Sequence, residues 1–399
     1  MDNDNIQEKP ALTRLNLWVM TIATGLVVAN IYYNQPLLAD ITKDLGASQA
    51  QGGTLAMFTQ IGYAAGMLFM VPLGDMLRRK RLIMFEFLLA IVALLAAAWA
   101  PTIHILMIAS FFIGAFSIIP QLLVPMAAHL SAPDQRGKTI GFVMSGLLIG
   151  ILLSRTVSGY VGAHLGWRAM FLIAAALMTV LWIALYFLLP EVYPSYAGNY
   201  GQLMKSLLVL IKEEPQLRVA SLRGALCFAT FAGFWTTLIF LLKEPQFNLG
   251  SQAAGAFGLV GAFGALAASQ MGRLSDKGNG YRLTTYTVLL VIVSYIIYGF
   301  SSVSLVGLVI GVIVMDMGVQ ATHISNQAII FSLRPEARNR LNTVYMVTYF
   351  IGGAIGTLLA SQAWNLYKWN GVVGMGLILS VIALVIHVSS KPKQKIQAV

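Results

Sequence analysis

Apolar residues along this chain gather in runs of helical length rather than alternating with polar ones. The runs lie near residues 15–38, 51–73, 82–100, 105–129, 139–163 and 168–189, and again near 220–242, 252–272, 284–300, 305–332, 341–366 and 371–388. A helix needs roughly 20 apolar residues to cross a bilayer. The pattern therefore predicts an all-α membrane protein with twelve transmembrane helices. These divide into an N-terminal six-helix bundle over 1–189, a polar central loop over 190–218 and a C-terminal six-helix bundle over 219–399. The first run is too long for a signal-peptide core and no cleavage pattern follows it, so it reads as a retained span.

The loops carry the charge. With the N-terminus set in the cytoplasm, 21 of the 26 Lys and Arg residues fall on the cytoplasmic side, with Arg223 counted among them, and four fall outside. The remaining one, Arg155, lies within a run. Such asymmetry predicts that both termini are cytoplasmic. Composition agrees: 58% of residues are hydrophobic and 10% are charged, where a soluble domain carries about 25% charged. A soluble enzyme and a disordered chain are both excluded. The net charge of +11 sits in loops between apolar runs, which encodes orientation rather than nucleic-acid binding. Cys227 is the sole cysteine, so neither a disulfide framework nor a thiolate metal site is expected. No phosphate loop, His-Glu-x-x-His or nucleophile elbow occurs, and neither enzyme activity nor a cofactor is expected.

The two halves repeat. Ala-Pro-Asp-Gln-Arg at 132–136 matches Arg-Pro-Glu-Ala-Arg at 334–338, and Trp167 maps onto Trp369 at the same offset of 202. Asp75 followed by basic residues maps onto Asp276 followed by Lys277 and Arg282, one residue off that register. Duplicated bundles of parallel orientation place a binding site near the midplane where they meet.

With these features the sequence resembles the major facilitator superfamily over essentially its whole length. The loop PLGDMLRRKRL at 72–82 is similar to the family's Gly-x-x-x-Asp-Arg-x-Gly-Arg-Arg motif, with Asp75, Arg79 and Lys80 matching. GRLSDKGNGYR at 272–282 supplies Asp276 and Lys277 in the second half. The resemblance implies that these five residues gate alternating access, their Asp bonding to the end of a neighbouring helix; the plainer reading is a positive-inside loop. Twelve spans and Gly166-Trp167-Arg168 resemble the drug/proton antiporter-like exporters. The family's fourth-helix Arg, however, falls on Ser110, and its fifth-helix Gly-Pro falls on Ser154 and Arg155.

Charges inside spans cost roughly 2.5–3.5 kcal/mol each at mid-helix, so each needs a reason. Arg155 and Asp316 lie at similar depth, about 24 Å from the cytoplasmic end in the case of Arg155. Asp316 can be neutralised by a proton, which makes it the candidate proton-coupling group, with a permanent Arg155–Asp316 pair as the competing explanation. Arg155 is either a structural ion-pair partner or an anion-binding group in the cavity wall. Glu86, near the start of the third run, is expected to snorkel to the interface. Asp316, Gln320, His323 and Gln327 recur at helical spacing and form one polar stripe, which must face a cavity or protein. His323 is the second proton-coupling candidate.

In the first run Asn30, Tyr33 and Asn34 are candidate substrate contacts. The resemblance implies that the first, fourth, seventh and tenth helices line the cavity, which adds Gln121 and Trp235 to Arg155, Gln320 and Gln327. Glycines at 146, 150, 352, 353 and 356 are expected at close helix contacts. The reading is a monomeric secondary transporter in a bacterial inner membrane, exchanging protons for a small organic compound in efflux by alternating access. Uptake or efflux of an anionic metabolite on Arg155 is the alternative. A receptor or lipid-modifying enzyme would need an effector domain or a reactive centre, and only His323 with Asp316 could supply the latter.

Overall fold

The computed structural model describes residues 12–132, 134–194, 198–275, 280–334 and 337–390, and among them no strand occurs. The helices of the first half are α1 (Arg14–Ala29), α2 (Leu38–Asp44), α3 (Gln49–Phe69), α4 (Leu73–Met76), α5 (Arg79–Ala98), α6 (Ile103–Phe116), α7 (Ile119–Leu130), α8 (Arg136–Leu165) and α9 (Trp167–Leu188). A connecting helix, α10 (Tyr200–Glu213), leads into α11 (Pro215–Leu242), α12 (Ser251–Ser275), α13 (Gly280–Gly299), α14 (Leu305–Leu333) and α15 (Arg338–Ser389). Among the described residues nine helices are long and apolar enough to cross a membrane. The last, α15, is two helices joined across non-helical Tyr367 and Lys368.

Local sequence accounts for the boundaries. Ser48 and Gln51 form a reciprocal capping box at the start of α3, and Thr102 and Ser304 cap α6 and α14 through their hydroxyls; each satisfies an amide that the first helical turn leaves free. Gly166 takes φ 83 and Lys368 takes φ 51, so the chain turns just before Trp167 and just before Trp369. The two tryptophans close equivalent corners of the halves: Trp167 Nε1 donates to Asp44 Oδ2 at 3.1 Å and Trp369 Nε1 donates to the Tyr298 carbonyl at 2.9 Å. Arg168 also bonds Asp44, and that bond, with the one from Trp167, holds the Asp44 carboxyl below its usual range.

Two helix breaks shape the middle of the first half. After α1 the chain passes through 3-10-type bonds, Asn30 N to the Val27 carbonyl and Tyr32 N to the Ala29 carbonyl, before the short 3-10 turn Gln35–Leu37. Pro36 has no N–H to continue an α-helix. Between α6 and α7 the chain breaks at Ser117 and Ile118, ahead of Pro120. The breaks face each other, and Asn30 Nδ2 donates to Ser117 Oγ at 3.4 Å.

Elsewhere glycines let helices touch. A Cβ at Gly146 would lie 2.4 Å from the Thr21 carbonyl oxygen, and one at Gly150 2.1 Å from that of Gly25, so α8 and α1 are in backbone contact. Gly352 and Gly356 do the same for α15 against Ala225 and Ala229 of α11.

One end of the bundle, the basic end, carries Arg78–Arg81, Arg136, Lys138, Arg334 and Arg338. At the opposite end the two halves are fastened together. Lys243 Nζ is 2.5 Å from Asp40 Oδ1, Trp364 Nε1 donates to Gln49 Oε1 at 2.7 Å, and Gln60 Nε2 donates to Thr357 Oγ1 at 2.9 Å. Towards the basic end this seam finishes at Tyr63 on Phe350, ring centroids 4.4 Å apart. Beyond it, among the described residues, the halves part: Gly137 and Gly141 of α8 face open space and Ser145 is exposed. Helix α10 spans the gap: Tyr200 Oη donates to the Phe69 carbonyl at 2.9 Å, and Arg334 pairs with Glu213 and Glu214. The segment read from sequence as a polar loop thus contains a helix.

Glu86 and Arg223 depart from the sequence expectation. Glu86 does not snorkel; it is 0% exposed with both carboxyl oxygens unbonded. The helical period puts it on the same face of α5 as Ile83, Phe87, Ala90 and Leu94, all buried, and that face packs inward. Arg223 is not a loop charge. α11 starts at Pro215, earlier than the hydropathy suggested, and carries Arg223 into the bundle at 3% exposure.

Gly150→Val should break the α1–α8 contact, because its Cβ has only backbone to meet. Overpacking of this kind costs about 1–3 kcal/mol. A lowered thermal unfolding midpoint of the purified variant is the expected result, with Gly141→Val, in open space, as the unaffected control.

Candidate functional site

Where α8 of the first half meets α12 of the second, glycines replace side chains. Gly255, Gly258, Gly261 and Gly264 recur every third residue. Three helical residues turn 300°, so the glycine row winds around α12 and shows two faces. At the start of the row, a Cβ on Gly255 would lie 2.5 Å from the Arg155 carbonyl oxygen, and one on Gly258 3.1 Å from Arg155 Cβ. Further along, a Cβ on Gly261 would lie 3.2 Å from Asp316 Oδ1, and one on Gly264 2.7 Å from Asp316 Cβ. Thr156 Oγ1 donates to the Gly255 carbonyl at 2.9 Å and helps to hold α8 on this row. An arginine from one half and an aspartate from the other thus sit on neighbouring turns of one helix.

Arg155 is 2% exposed and Asp316 3%. They form no ion pair within 4.0 Å; the permanent pair is not present in this conformation. Arg155 Nε donates to Gln35 Oε1 at 2.8 Å. Its guanidinium lies over three rings, Trp235 at 4.2 Å, Tyr32 at 4.7 Å and Phe231 at 5.6 Å to the centroids. Each such contact is worth about 0.5–2 kcal/mol, more when desolvated. Arg155 Nη2 has no acceptor, and Asp316 Oδ2 has no donor. Between Gln35, Pro36, Arg155, Trp235 and Ala254 the empty space amounts to about 180 Å³, in clefts too narrow for water.

The polar stripe on α14 continues from Asp316 towards the basic end. Gln320, His323 and Gln327 are half-buried. His323 Nδ1 is 2.9 Å from Tyr345 Oη, and the Tyr349 ring lies beside it, tilted by 51° with centroids 4.8 Å apart. Behind the stripe lies a denser network. Asn326 Oδ1 accepts from Arg223 Nε at 2.9 Å and from Nη2, while Asn326 Nδ2 donates to Tyr345 Oη at 3.4 Å. Arg223 Nη1 is 2.8 Å from His387 Nδ1, whose ring stacks on Tyr281.

In the first half, Asn30 contacts Ser117 and Met178 Sδ, and Asn34 Nδ2 donates to Thr59 Oγ1 at 2.9 Å. Both amides keep a buried oxygen without a donor. Gln121 Nε2 donates to Tyr63 Oη at 3.4 Å. Tyr33 is buried away from Arg155 and bonds through its carbonyl, which accepts from Ser158 Oγ; Tyr32, one residue earlier, supplies the ring beside the guanidinium. Phe234 is core, stacked on Tyr298 at 4.4 Å. In the basic loop Asp75 pairs with Arg79 at 3.2 Å, four residues on, and not with the end of another helix. Lys80 lies over the Tyr186 ring at 5.8 Å. Asp276 and Lys277 lie outside the described residues.

Sequence reading missed Gln35 and Tyr32 as partners of Arg155, and the α12 glycine row. The row was legible as Gly-x-x-Gly-x-x-Gly-x-x-Gly, a spacing that signals close backbone approach. Tyr32 over Tyr33 was not, because the helix break at Asn30 shifts the phase of every later side chain.

A family model described as Major Facilitator Superfamily matches residues 20–357. The chain is 42% identical over 386 residues to the uncharacterized transporter YgaY of Escherichia coli O157:H7, covering 97% of each chain. It is 23% identical over 384 residues to a "Probable sugar efflux transporter" of Helicobacter pylori strain ATCC 700392 / 26695, covering 94% of this chain and 95% of the relative. Among solved structures, a bacterial homolog of the human lysosomal transporter Spinster, inward-facing and occupied, superposes with a TM-score of 0.76 at 14% identity, covering 94% and 95% of the two chains. The nucleoside transporter NupG gives 0.74 at 16% identity, covering 94% and 99%. Likeness at these identities concerns the fold.

The Arg223 network yields a stability test. Asn326→Ala removes both bonds to Asn326 Oδ1 and leaves a buried cation under-satisfied, which costs about 1–3 kcal/mol. Asn326→Asp keeps the acceptor, so its thermal midpoint in detergent should stay well above that of the alanine variant.

Proposed function

The chain belongs to the Major Facilitator Superfamily of transporters, and from that premise we propose that it is a proton-coupled secondary transporter exporting a small organic compound by alternating access. The observation that carries the reading is Asp316: a carboxyl in the wall between the halves, buried, unpaired and on the same glycine row as a cation from the other half. A lone carboxylate in low dielectric is costly and a carboxylic acid is not. Proton binding at Asp316 therefore favours the conformation that buries it, and proton release favours the one that exposes it.

The rest of the mechanism follows from the seam. The halves are fastened at the end opposite the basic one and part beyond Tyr63 and Phe350. Under the positive-inside rule the basic end is cytoplasmic, so this conformation opens to the cytoplasm, with both termini there and twelve crossings in a bacterial inner membrane. Substrate would enter along Gln320, His323 and Gln327 and meet Gln121, with Asn30, Tyr33 and Asn34 behind the first-half wall. Asp75, Arg79 and Lys80, together with Asp276 and Lys277, would meet across the gap when the basic ends close. The transporter acts as a monomer. Export is supported by the sugar efflux name carried by the Helicobacter relatives; sugars, rich in hydroxyls, suit a wall of amides.

A second reading rests on Arg155. Its Nη2 donor is unpaired inside an aromatic box with Gln35, which suits an anionic group on the substrate.

In proteoliposomes with an imposed pH gradient, Asp316→Asn should insert and fold but lose gradient-driven transport by about a hundredfold or more, while exchange without a gradient persists. Wild-type accumulation by this variant would remove Asp316 from the mechanism. Arg155→Lys keeps the charge but loses the planar fork. Under the second reading it weakens anionic ligands about tenfold or more in a thermal-shift titration and leaves neutral ligands unchanged.

A further inference from the structure

The four consecutive cations Arg78, Arg79, Lys80 and Arg81 look alike in sequence but are divided by the fold. Arg79 turns inward, donating from Nε to the Gly74 carbonyl at 3.1 Å and pairing with Asp75. Lys80 covers the Tyr186 ring. Arg78 and Arg81 remain exposed, with no carboxylate partner among the described residues, and both line a groove of about 550 Å³. Its walls are otherwise apolar or aromatic, among them Leu77, Phe85 and Tyr193, and no acidic residue lines it. Arg78 lies 5.0 Å over the Tyr193 ring. The Tyr193 segment is pinned by the Arg79 amide donating to the Val192 carbonyl at 3.2 Å, so the groove is part of the fold.

The depth of these groups matters. The membrane-crossing helix α5 begins at Arg79, which puts the two arginines at the headgroup level. Phe85 is six residues further in, about 9 Å deeper, and is 55% exposed, while Leu77, beside Arg78 at the end of α4, is 46% exposed. Unpaired cations at the interface above a greasy trough fit a molecule with an anionic head and a hydrocarbon tail. A free phosphate would use the arginines and leave the apolar wall bare.

We propose that this groove is a binding site for an anionic phospholipid, its phosphodiester between Arg78 and Arg81 and an acyl chain along Leu77 and Phe85. The site lies on the outer surface of the first bundle, away from Arg155 and Asp316, so it stands independently of the transport mechanism. Because Met76 of α4, Leu77 and the Tyr193 segment line it, an occupied groove braces the loop that joins α3 to α5.

The test is native mass spectrometry of the purified full chain released from micelles containing equal phosphatidylglycerol and phosphatidylcholine. The wild-type protein is expected to retain phosphatidylglycerol in preference. Arg78→Gln with Arg81→Gln should weaken that retention about thirtyfold, each cation near the surface contributing roughly fivefold. Arg136→Gln with Lys138→Gln, at the same end of the molecule, should leave it unchanged. Inorganic phosphate should give no thermal stabilisation. The proposal fails if wild-type protein shows no preference, if the Arg78/Arg81 variant retains the lipid as well as wild type, or if the Arg136/Lys138 variant loses it equally. It also fails if inorganic phosphate stabilises the wild type and not the Arg78/Arg81 variant. The wild-type competition needs no variant to fold.

Discussion

Removing a guanidinium or a carboxylate from water costs several kcal/mol even after the protein relaxes, and this molecule does both at its centre without joining the two. Arg155 is compensated by one amide oxygen and three ring faces. Asp316 has less, with Oδ2 bare. Because the residues belong to different halves, any motion of the halves changes the surroundings of both charges. The glycine row on α12 makes this possible, since side chains there would hold α8 and α14 apart. Opposite charges that are close but not bonded remain sensitive to what comes between them, whether proton, substrate or water.

The second half is anchored differently. The network of Arg223, Asn326, Tyr345 and His387 ties α11, α14 and both segments of α15 together through side-chain hydrogen bonds. His323 is attached to it through Tyr345 while facing the gap. The fixed network gives α14 a rigid base from which the Asp316 stripe is presented. In the first half the reverse holds: α1 and the α6–α7 pair are broken at mid-depth, and the freed groups are taken up by neighbours, Asn30 bonding Ser117 of the facing break, Asn34 bonding Thr59 of α3, and the Tyr33 carbonyl accepting from Ser158 of α8. Broken helices at membrane depth are tolerated where protein or a cavity surrounds them.

Much of this architecture is legible in the order of residues alone. Helix-length apolar runs identify the elements, because hydrocarbon thickness imposes their length. The 202-residue repeat reveals the symmetry, and the turn before Trp167 and Trp369 shows why it persists: both corners close on an indole. Arg155 and Asp316 stand out because charge inside a span is expensive. What stays hidden depends on phase and partner. Hydropathy averages over a window, so it does not register that α11 begins at Pro215 and draws Arg223 inward. Nor does it register that Glu86 shares a face with Phe87 rather than with the interface. Tyr32 and Tyr33 cannot be told apart across a break whose geometry is set by Ser117 and Pro36. Whether Arg79 or Arg78 meets Asp75 depends on the path of a loop, for which four adjacent cations give no signal.

The central claim is that the two ends of the seam open in opposition and that protons shift the balance. Pulsed electron spin measurements on the protein in lipid nanodiscs test it most directly, with buried Cys227 left unlabelled. One label pair, at Lys138 and Asn339, spans the basic end, and the other, at Lys43 and Asn365, spans the opposite end; all four residues are exposed. The account predicts two distance populations for each pair, the basic-end distance shortening as the opposite one lengthens, with a ratio that changes between acidic and alkaline buffer. Single, pH-independent distances at both ends, or distances that rise and fall together, would contradict it.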